Sequence, residues 1–369
     1  MPRTIDIKRS LEMKLAAMHN RKHCILVSRG ATAIYLALKA FGYKRGKVAL
    51  PSMLCMSPAN AVMYAGLKPV FIDISLSDFN MEVKSLKKAI EKNQNVVAVI
   101  LPHIYGQPGD IDEIVTLCKK HNIRLIEDAA QALGGSYKGS PLGAFGDISI
   151  LSFGHTKILD CGGGGALLFD DDRYFQLINA LIRKLPSKIR GYRQLQEKYS
   201  KKYYALANIV RRDPKKAGLY SVFPQTFKNL YLFKELDSKV LNDIRSSLNG
   251  LQKIVKTRNE NAALYSKLLN HPLIIQPKYK EKGTFWRYSF LVKGGRQHEL
   301  AQLIREKGVA VSNWYPPLHL MYRKKPAKLK NAEYLGDHVF NLWVDESISK
   351  AAIRRNCDLF IKVLNERAK

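Results

Sequence analysis

Six short apolar runs, each of strand length, alternate with segments of helical period. That alternation limits the chain to a mainly parallel sheet covered by helices. The runs are CILV at 24–27, KVAL at 47–50, PVFI at 69–72, VVAVIL at 96–101, IRLI at 123–126 and ISIL at 148–151. Between them Ala33, Leu36, Ala37 and Ala40 share one helical face, as do Ile111, Ile114, Val115 and Cys118. Strands buried on both faces read as unbroken apolar runs, and a parallel connection needs a covering helix. Ligands of such sheets gather where strands end in loops, so functional residues are to be sought there.

Later segments differ. From Val240 to Tyr265 the apolar positions predict one long helix, a natural bridge between domains. FWRYSFLVKGG reads as a strand, HELAQLIREKG as a helix closed by Gly308, VAVSNWYPP as a strand stopped by proline, and the last thirty or so residues as helix. The expected organisation is a large domain over 1–250 and a smaller α/β domain over 251–369. With 369 residues, 46% of them hydrophobic, the chain can fill cores on this scale, which excludes a disordered or collagen-like polymer. No signal-peptide core and no eighteen-residue apolar run is present. The cysteines (Cys24, Cys55, Cys118, Cys161, Cys357) are scattered without a C-x-x-C pair, so neither a disulfide framework nor a metal site is expected, and the expected location is a reducing cytoplasm.

Lys and Arg total 61 against 31 acids, a net charge of +30 that suits an anionic partner. Between Arg183 and Lys234 fourteen cations stand against Glu197 and Asp213, and this stretch reads as exposed, separable from the chemistry and a poor candidate for core. Tyr192, Tyr199, Tyr203 and Tyr204 interleave with the cations, where nucleic-acid bases could stack. Residues 183–234 could equally touch an anionic membrane surface. Solvated lysines on a basic protein are the simpler account, and a nucleic-acid partner is not expected.

Chemistry concentrates in three stretches. In SFGHTKILDCGGGGALLF, Lys157 follows a strand and precedes four glycines, Gly162 to Gly165. In IRLIEDAAQALGG, a strand delivers Glu127 and Asp128 to its carboxyl end, with Gln131 one helical turn later. An amine facing a carboxylate across a sheet edge suits pyridoxal phosphate, whose aldehyde needs an amine and whose ring nitrogen needs a partner for its proton. Asp128 could instead cap a helix. In VSRGATAIYLALKAFG, a strand meets a helix through Gly30, and free N–H groups there suit a phosphate.

These stretches, with LPSMLCMSPANAVMYAGLKPVFIDI, LPHIYGQPGDID, PLGAFGD and NWYPPLHL, resemble the DegT/DnrJ/StrS sugar aminotransferases, within the fold type I pyridoxal phosphate enzymes. The resemblance spans nearly the whole chain, is most specific from His103 to Lys157 and is loose between about 180 and 235. It implies an aspartate aminotransferase-like α/β fold and a homodimer. It also implies amino transfer, from L-glutamate, to a keto group of a nucleotide-linked sugar in polysaccharide biosynthesis. By the same resemblance Lys157 forms the Schiff base and shuttles a proton, Asp128 pairs with the pyridine nitrogen, and Gln131 bonds the ring hydroxyl. Ser152, Thr32 and the amides of Gly30 and Ala31 hold the phosphate. Elimination chemistry, or cofactor binding without turnover, are the alternatives.

Several positions depart from the family pattern. Cys55, with Met56 beside it, stands where an aromatic residue usually stacks on the ring; Ile158 replaces an Asn; and the partner-subunit Asn expected to reach the phosphate aligns with Phe233. Tyr315 and His319 match residues lining the family's substrate entrance. His103 and His155 are candidates for tuning a proton transfer, and Arg287 for clamping a carboxylate or diphosphate.

Overall fold

The structure, a computed structural model, describes residues 4–92, 95–212, 223–279, 281, 283–294, 297–322 and 326–368. All six apolar runs become strands of one sheet: β1 (His23–Val27), β2 (Lys47–Pro51), β3 (Lys68–Ile72), β4 (Val96–Pro102), β5 (Arg124–Asp128) and, after a small hairpin of β6 (Ser136–Tyr137) and β7 (Ser140–Pro141), β8 (Ile148–Ser152). The strand after the glycine run is β9 (Gly165–Phe169). The order is β1-β9-β8-β5-β4-β2-β3. β9 is antiparallel to both neighbours, and every pair from β8 to β3 is parallel. The register sets Pro102 beside Asp128 and Ser152 beside Gly165, so the ends of β4, β5 and β8 converge at one edge. Helix Gly30–Ala40 lies across β8 and β9 and starts at that edge.

A second hydrophobic cluster forms beyond Ala262. It packs helices Leu251–Leu268, Gln297–Glu306 and Lys350–Ala368 on an antiparallel sheet of order β10-β11-β13-β12, made by β10 (Ile274–Ile275), β11 (Tyr288–Val292), β12 (Val311–Ser312) and β13 (Val339–Leu342). Phe290, Phe340 and Phe360 meet at its centre, fully buried.

Four expectations are corrected. The long helix breaks at Gly250 into Ser238–Asn249 and Leu251–Leu268. The first half buries Leu241, Ile244 and Leu248 in the large core and the second buries Ala262 and Tyr265 in the small one, so one apolar period serves two cores. β13 was hidden in the expected terminal helix because all four of its residues are buried and leave no alternation to read. The helix expected after Asp128 is a run of turns. Asp128 Oδ1 accepts from the Ala130 amide at 3.1 Å, but it caps no helix.

The basic segment is the fourth. Helix Tyr192–Arg212 buries Tyr203 and Ala207 and half-buries Tyr192, Leu195, Tyr199 and Leu206, while Lys198, Lys201 and Lys202 face outward. Beyond it Phe227 and Leu230 to Leu232 enter the large core, and Phe233 is buried beside them. The apolar and aromatic positions recur every three or four residues, and the cations between them masked that stripe. Residues 213–222 of the segment lie outside the described residues. Among the described residues no helix is long and apolar enough to cross a membrane.

Candidate active site

A cavity of about 240 Å³ opens where β4, β5 and β8 end against the start of helix Gly30–Ala40. Gly30, Ala31, Cys55, His103, Asp128, Gln131, Ser152 and Lys157 line it, with His155 at an exposed rim position 3.5 Å from Asp160. Thr32, Arg287, Tyr315 and His319 do not.

Asp128, at the tip of β5, is 5% exposed. Burial holds its carboxyl above the ordinary Asp value, and the nearby Lys157 charge opposes that shift. Beside it Glu127 is fully buried and accepts from His103 Nε2 (2.9 Å), the amides of Gly143 (2.6 Å), Phe145 (2.7 Å) and Gly146 (3.2 Å), and Ser149 Oγ (2.9 Å). Burial alone would raise Glu127; these donors outweigh it and keep the carboxyl below its ordinary value. Glu127 thus fixes His103, whose Nδ1 has no hydrogen-bond partner among the described residues. Gln131 is committed at both ends, since Oε1 accepts from the Tyr105 amide (2.9 Å) and Nε2 donates to the Tyr315 hydroxyl (2.7 Å). One N–H of its amide is left for a ligand.

The other end of the cavity is built for an anion. No side chain caps helix Gly30–Ala40, so its first amides stay available. A Cβ on Gly30 would stand 3.2 Å from Ser152 Oγ, which shows how closely that hydroxyl faces the helix start. Gly165 explains the last glycine of the run: a Cβ there would lie 2.4 Å from Gly30 N, so β9 reaches the cradle only as bare backbone.

Three expectations are corrected here. Thr32 turns away, its hydroxyl 3.0 Å from Ser28 Oγ and donating to the Tyr231 carbonyl, so this helix offers the anion no hydroxyl. Tyr315 is buried and reaches the site only through Gln131, stacked against Tyr105 and Trp286. His319 is packed behind the cavity between Ser52 Oγ (2.7 Å) and Glu333 (3.3 Å), and burial lowers its pKa. Arg287 belongs to a different cavity. Phe233 is also outside: its carbonyl accepts from Ser28 Oγ at 2.6 Å and its ring packs on Tyr192.

Gln196 and Tyr231 line the cavity and escaped the sequence reading. Both lie in the basic segment, which is therefore a wall of the site, and the aromatic stripe was its only signal. Burial raises the Tyr231 hydroxyl to about 12, keeping it a neutral donor. Cys55 ends the loop before helix Met56–Tyr64. Its companion on the cavity wall is Leu54, whereas Met56 is buried beside the Tyr199 hydroxyl. Cys55→Phe is expected to slow cofactor loss on dialysis, measured by absorbance, because a ring supplies more stacking area than a thiol. Unchanged or faster loss would mean that Leu54 already covers the ring.

The residues fit pyridoxal phosphate: an amine, a buried acid, an uncapped helix start for the phosphate and a half-used amide. A doubly covered, mainly parallel sheet with such a site at its carboxyl edge defines a fold type I pyridoxal phosphate enzyme. The solved structure of DesI with its TDP-sugar product superposes with a TM-score of 0.80 over 98% of this chain and 86% of that one, at 22% identity. GDP-perosamine synthase of Caulobacter vibrioides is 38% identical over 341 residues, 90% of this chain and 84% of its own. The putative pyridoxal phosphate-dependent aminotransferase EpsN of Bacillus subtilis is 34% identical over 206 residues, 54% of this chain and 52% of its own. The model of the DegT/DnrJ/EryC1/StrS aminotransferase family matches residues 6–360, and the chain belongs to that family. It is a pyridoxal phosphate-dependent aminotransferase.

Proposed function

We propose that the protein moves an amino group from L-glutamate to a keto group of a nucleotide-linked sugar, as a cytoplasmic homodimer. Its large domain runs from 1 to 250 and its small one from 251 to 369. The observation that supports this reading is one cavity lined both by the buried Asp128, at the end of β5, and by Lys157, in the loop that follows β8. The sugar class is supported by the GDP-perosamine synthases among its relatives and by the UDP-N-acetyl-3-dehydro-alpha-D-glucosamine 3-aminotransferase of Acidithiobacillus ferrooxidans.

Bound pyridoxal phosphate supplies an electron-withdrawing ring that makes the donor's α-hydrogen acidic. Asp128 holds the proton on the ring nitrogen. Lys157 anchors the cofactor and afterwards moves a proton at the donor's α-carbon. Ser152 and the amides of Gly30 and Ala31 bind phosphate, and the free N–H of Gln131 orients the ring. Tyr231, Leu54 and Cys55 exclude water from the ring's surroundings.

Borohydride reduction of the loaded protein, followed by peptide mapping, should place the pyridoxyl group on Lys157. Label on another lysine would remove the assignment. Incubation with labelled glutamate and a panel of keto nucleotide sugars tests the transfer itself, and absence of labelled amino sugar across GDP-, UDP- and dTDP-linked acceptors would count against the substrate class.

A further inference from the structure

Lys157 stands in a tight loop, residues 154–160, closed at its base where the Cys161 amide donates to the Phe153 carbonyl (2.9 Å). It lines the cofactor cavity and also a second cavity, of about 410 Å³, that residues 156–160 border. Within the loop the Lys157 amide donates to the Gly154 carbonyl (3.2 Å), a turn whose third residue is Thr156. Thr156 has φ +64°, left-handed backbone that glycine or asparagine usually supplies at this place in a turn. For a β-branched residue it is an outlier, and it persists only where the surroundings leave no alternative. Relaxed to a negative φ, Thr156 would turn the chain and carry Lys157, the next residue, off its line.

Two partners hold Thr156, one at each end of its backbone. Its carbonyl accepts from Trp286 Nε1, and that indole is itself fixed, 5% exposed and stacked with Tyr105 and Tyr315 at an interplanar angle of 9° to each. Its amide donates to Asp160 Oδ2 (2.8 Å). Asp160 Oδ1 accepts from the amide of Gly162 (3.1 Å), whose φ is +72°, and lies 3.5 Å from His155 Nδ1. Both carboxylate oxygens are thus spent on backbone beside Lys157. The carboxyl is about half exposed, where water competes for these bonds and they add little to the stability of the whole fold. What they do there is local. Ile158 and Leu159 are buried, so the loop is pinned after Lys157 by packing and before it by Asp160 and Trp286.

We propose that Asp160 is a positioning residue: by holding Thr156 in its left-handed conformation it aims the Lys157 amine at the cofactor's aldehyde. The proposal rests on Lys157 as the cofactor's anchor. Condensation of amine and aldehyde forms one C=N bond and releases water, so retention of pyridoxal phosphate reads the aim of the amine. Pyridoxamine phosphate has the same ring and phosphate but no aldehyde, so it reads the shape of the pocket alone.

The full-length protein is loaded with each cofactor form in turn, and its loss on dialysis is followed by absorbance. Asp160→Ala should release pyridoxal phosphate about tenfold faster or more, the scale of loss for a misaimed reacting group, while pyridoxamine phosphate leaves within about threefold of the parental rate. Asp160→Asn keeps one carbonyl oxygen for the Thr156 amide and should recover part of the loss. Glycine stays left-handed without help, so in the Thr156→Gly background Asp160→Ala should cost less than about threefold. A residue needed only for folding would not be made dispensable in that way. Thermal melting of the cofactor-free variants checks that each is folded.

Equal acceleration for the two cofactor forms would mean that Asp160 shapes the pocket and not the lysine, and would overturn the proposal. So would parental retention of pyridoxal phosphate in folded Asp160→Ala, or a loss that persists undiminished in the Thr156→Gly background. If borohydride labelling of the parent falls on a lysine other than Lys157, the anchor assignment fails and this proposal with it. Label on Lys157 with no effect of Asp160→Ala keeps the anchor and removes only the positioning role.

Discussion

Asp128→Asn is expected to leave pyridoxal phosphate bound while slowing amino transfer on the order of 10²–10³-fold, the usual loss when a preorganised charge facing a reacting group is removed. A neutral amide keeps the acceptor for the Ala130 amide but cannot hold the ring nitrogen protonated. Stability should move the other way. Asp128 has a folded pKa raised by burial, so its contribution to stability is complete below the unfolded carboxyl value, near ~4, and is lost as pH rises through the folded value. At neutral pH the buried carboxylate therefore costs the cofactor-free protein stability, and Asn removes that cost. Melting of the cofactor-free variant should be unchanged or higher, with the difference from the parent growing from pH 4 to pH 7. A variant that is both slower and less stable would assign Asp128 a structural role, and one of parental speed would remove it from the chemistry.

The large sheet was legible because strands buried on both faces leave unbroken apolar runs. The positions of Lys157, Asp128, Ser152 and Gly30 followed from where those runs end. What was not legible depends on direction and distance. Thr32 and Ala31 are neighbours, and only the helix start decides that Ala31 faces the cavity while Thr32 bonds to Ser28 and Tyr231. Glu127 looked like a neighbour of the acid that matters; its five hydrogen bonds, which fix His103, come from residues 103 to 149 and have no local pattern. The basic segment misled most. Its composition describes the outward face of helix Tyr192–Arg212, whereas its role as a wall comes from the opposite stripe and from Tyr231. Arg287 lines its cavity together with Arg258, which is 29 positions away in sequence, so the two meet only in the folded chain.

Gly106→Ala should destabilise the protein by about 3 kcal/mol or more, a large effect for one methyl group, and should damage the site with it. Gly106 has φ +88°, and a Cβ there would stand 1.7 Å from the Thr284 carbonyl oxygen and 2.7 Å from that of Gln131. Neither neighbour can give way. The Thr284 amide donates to the Gly106 carbonyl (3.0 Å), the Trp286 amide donates to the Tyr105 carbonyl (2.8 Å), and the Gly283 amide donates to Gln107 Oε1 (3.1 Å). This strip clamps the loop bearing His103 to the segment leading into β11, so moving it shifts His103, Gln131 and Trp286 together. Gly139→Ala separates the two causes, because Gly139 has a similar φ of +80° with open space around it. It should lose only roughly 1 kcal/mol, the cost of left-handed backbone for a residue with a Cβ. Melting temperatures of the two variants should differ clearly, and only Gly106→Ala should lose cofactor on dialysis. Equal, small shifts would mean that the loop can slide away from residues 283–286, and that the two cavities are less rigidly joined than these hydrogen bonds require.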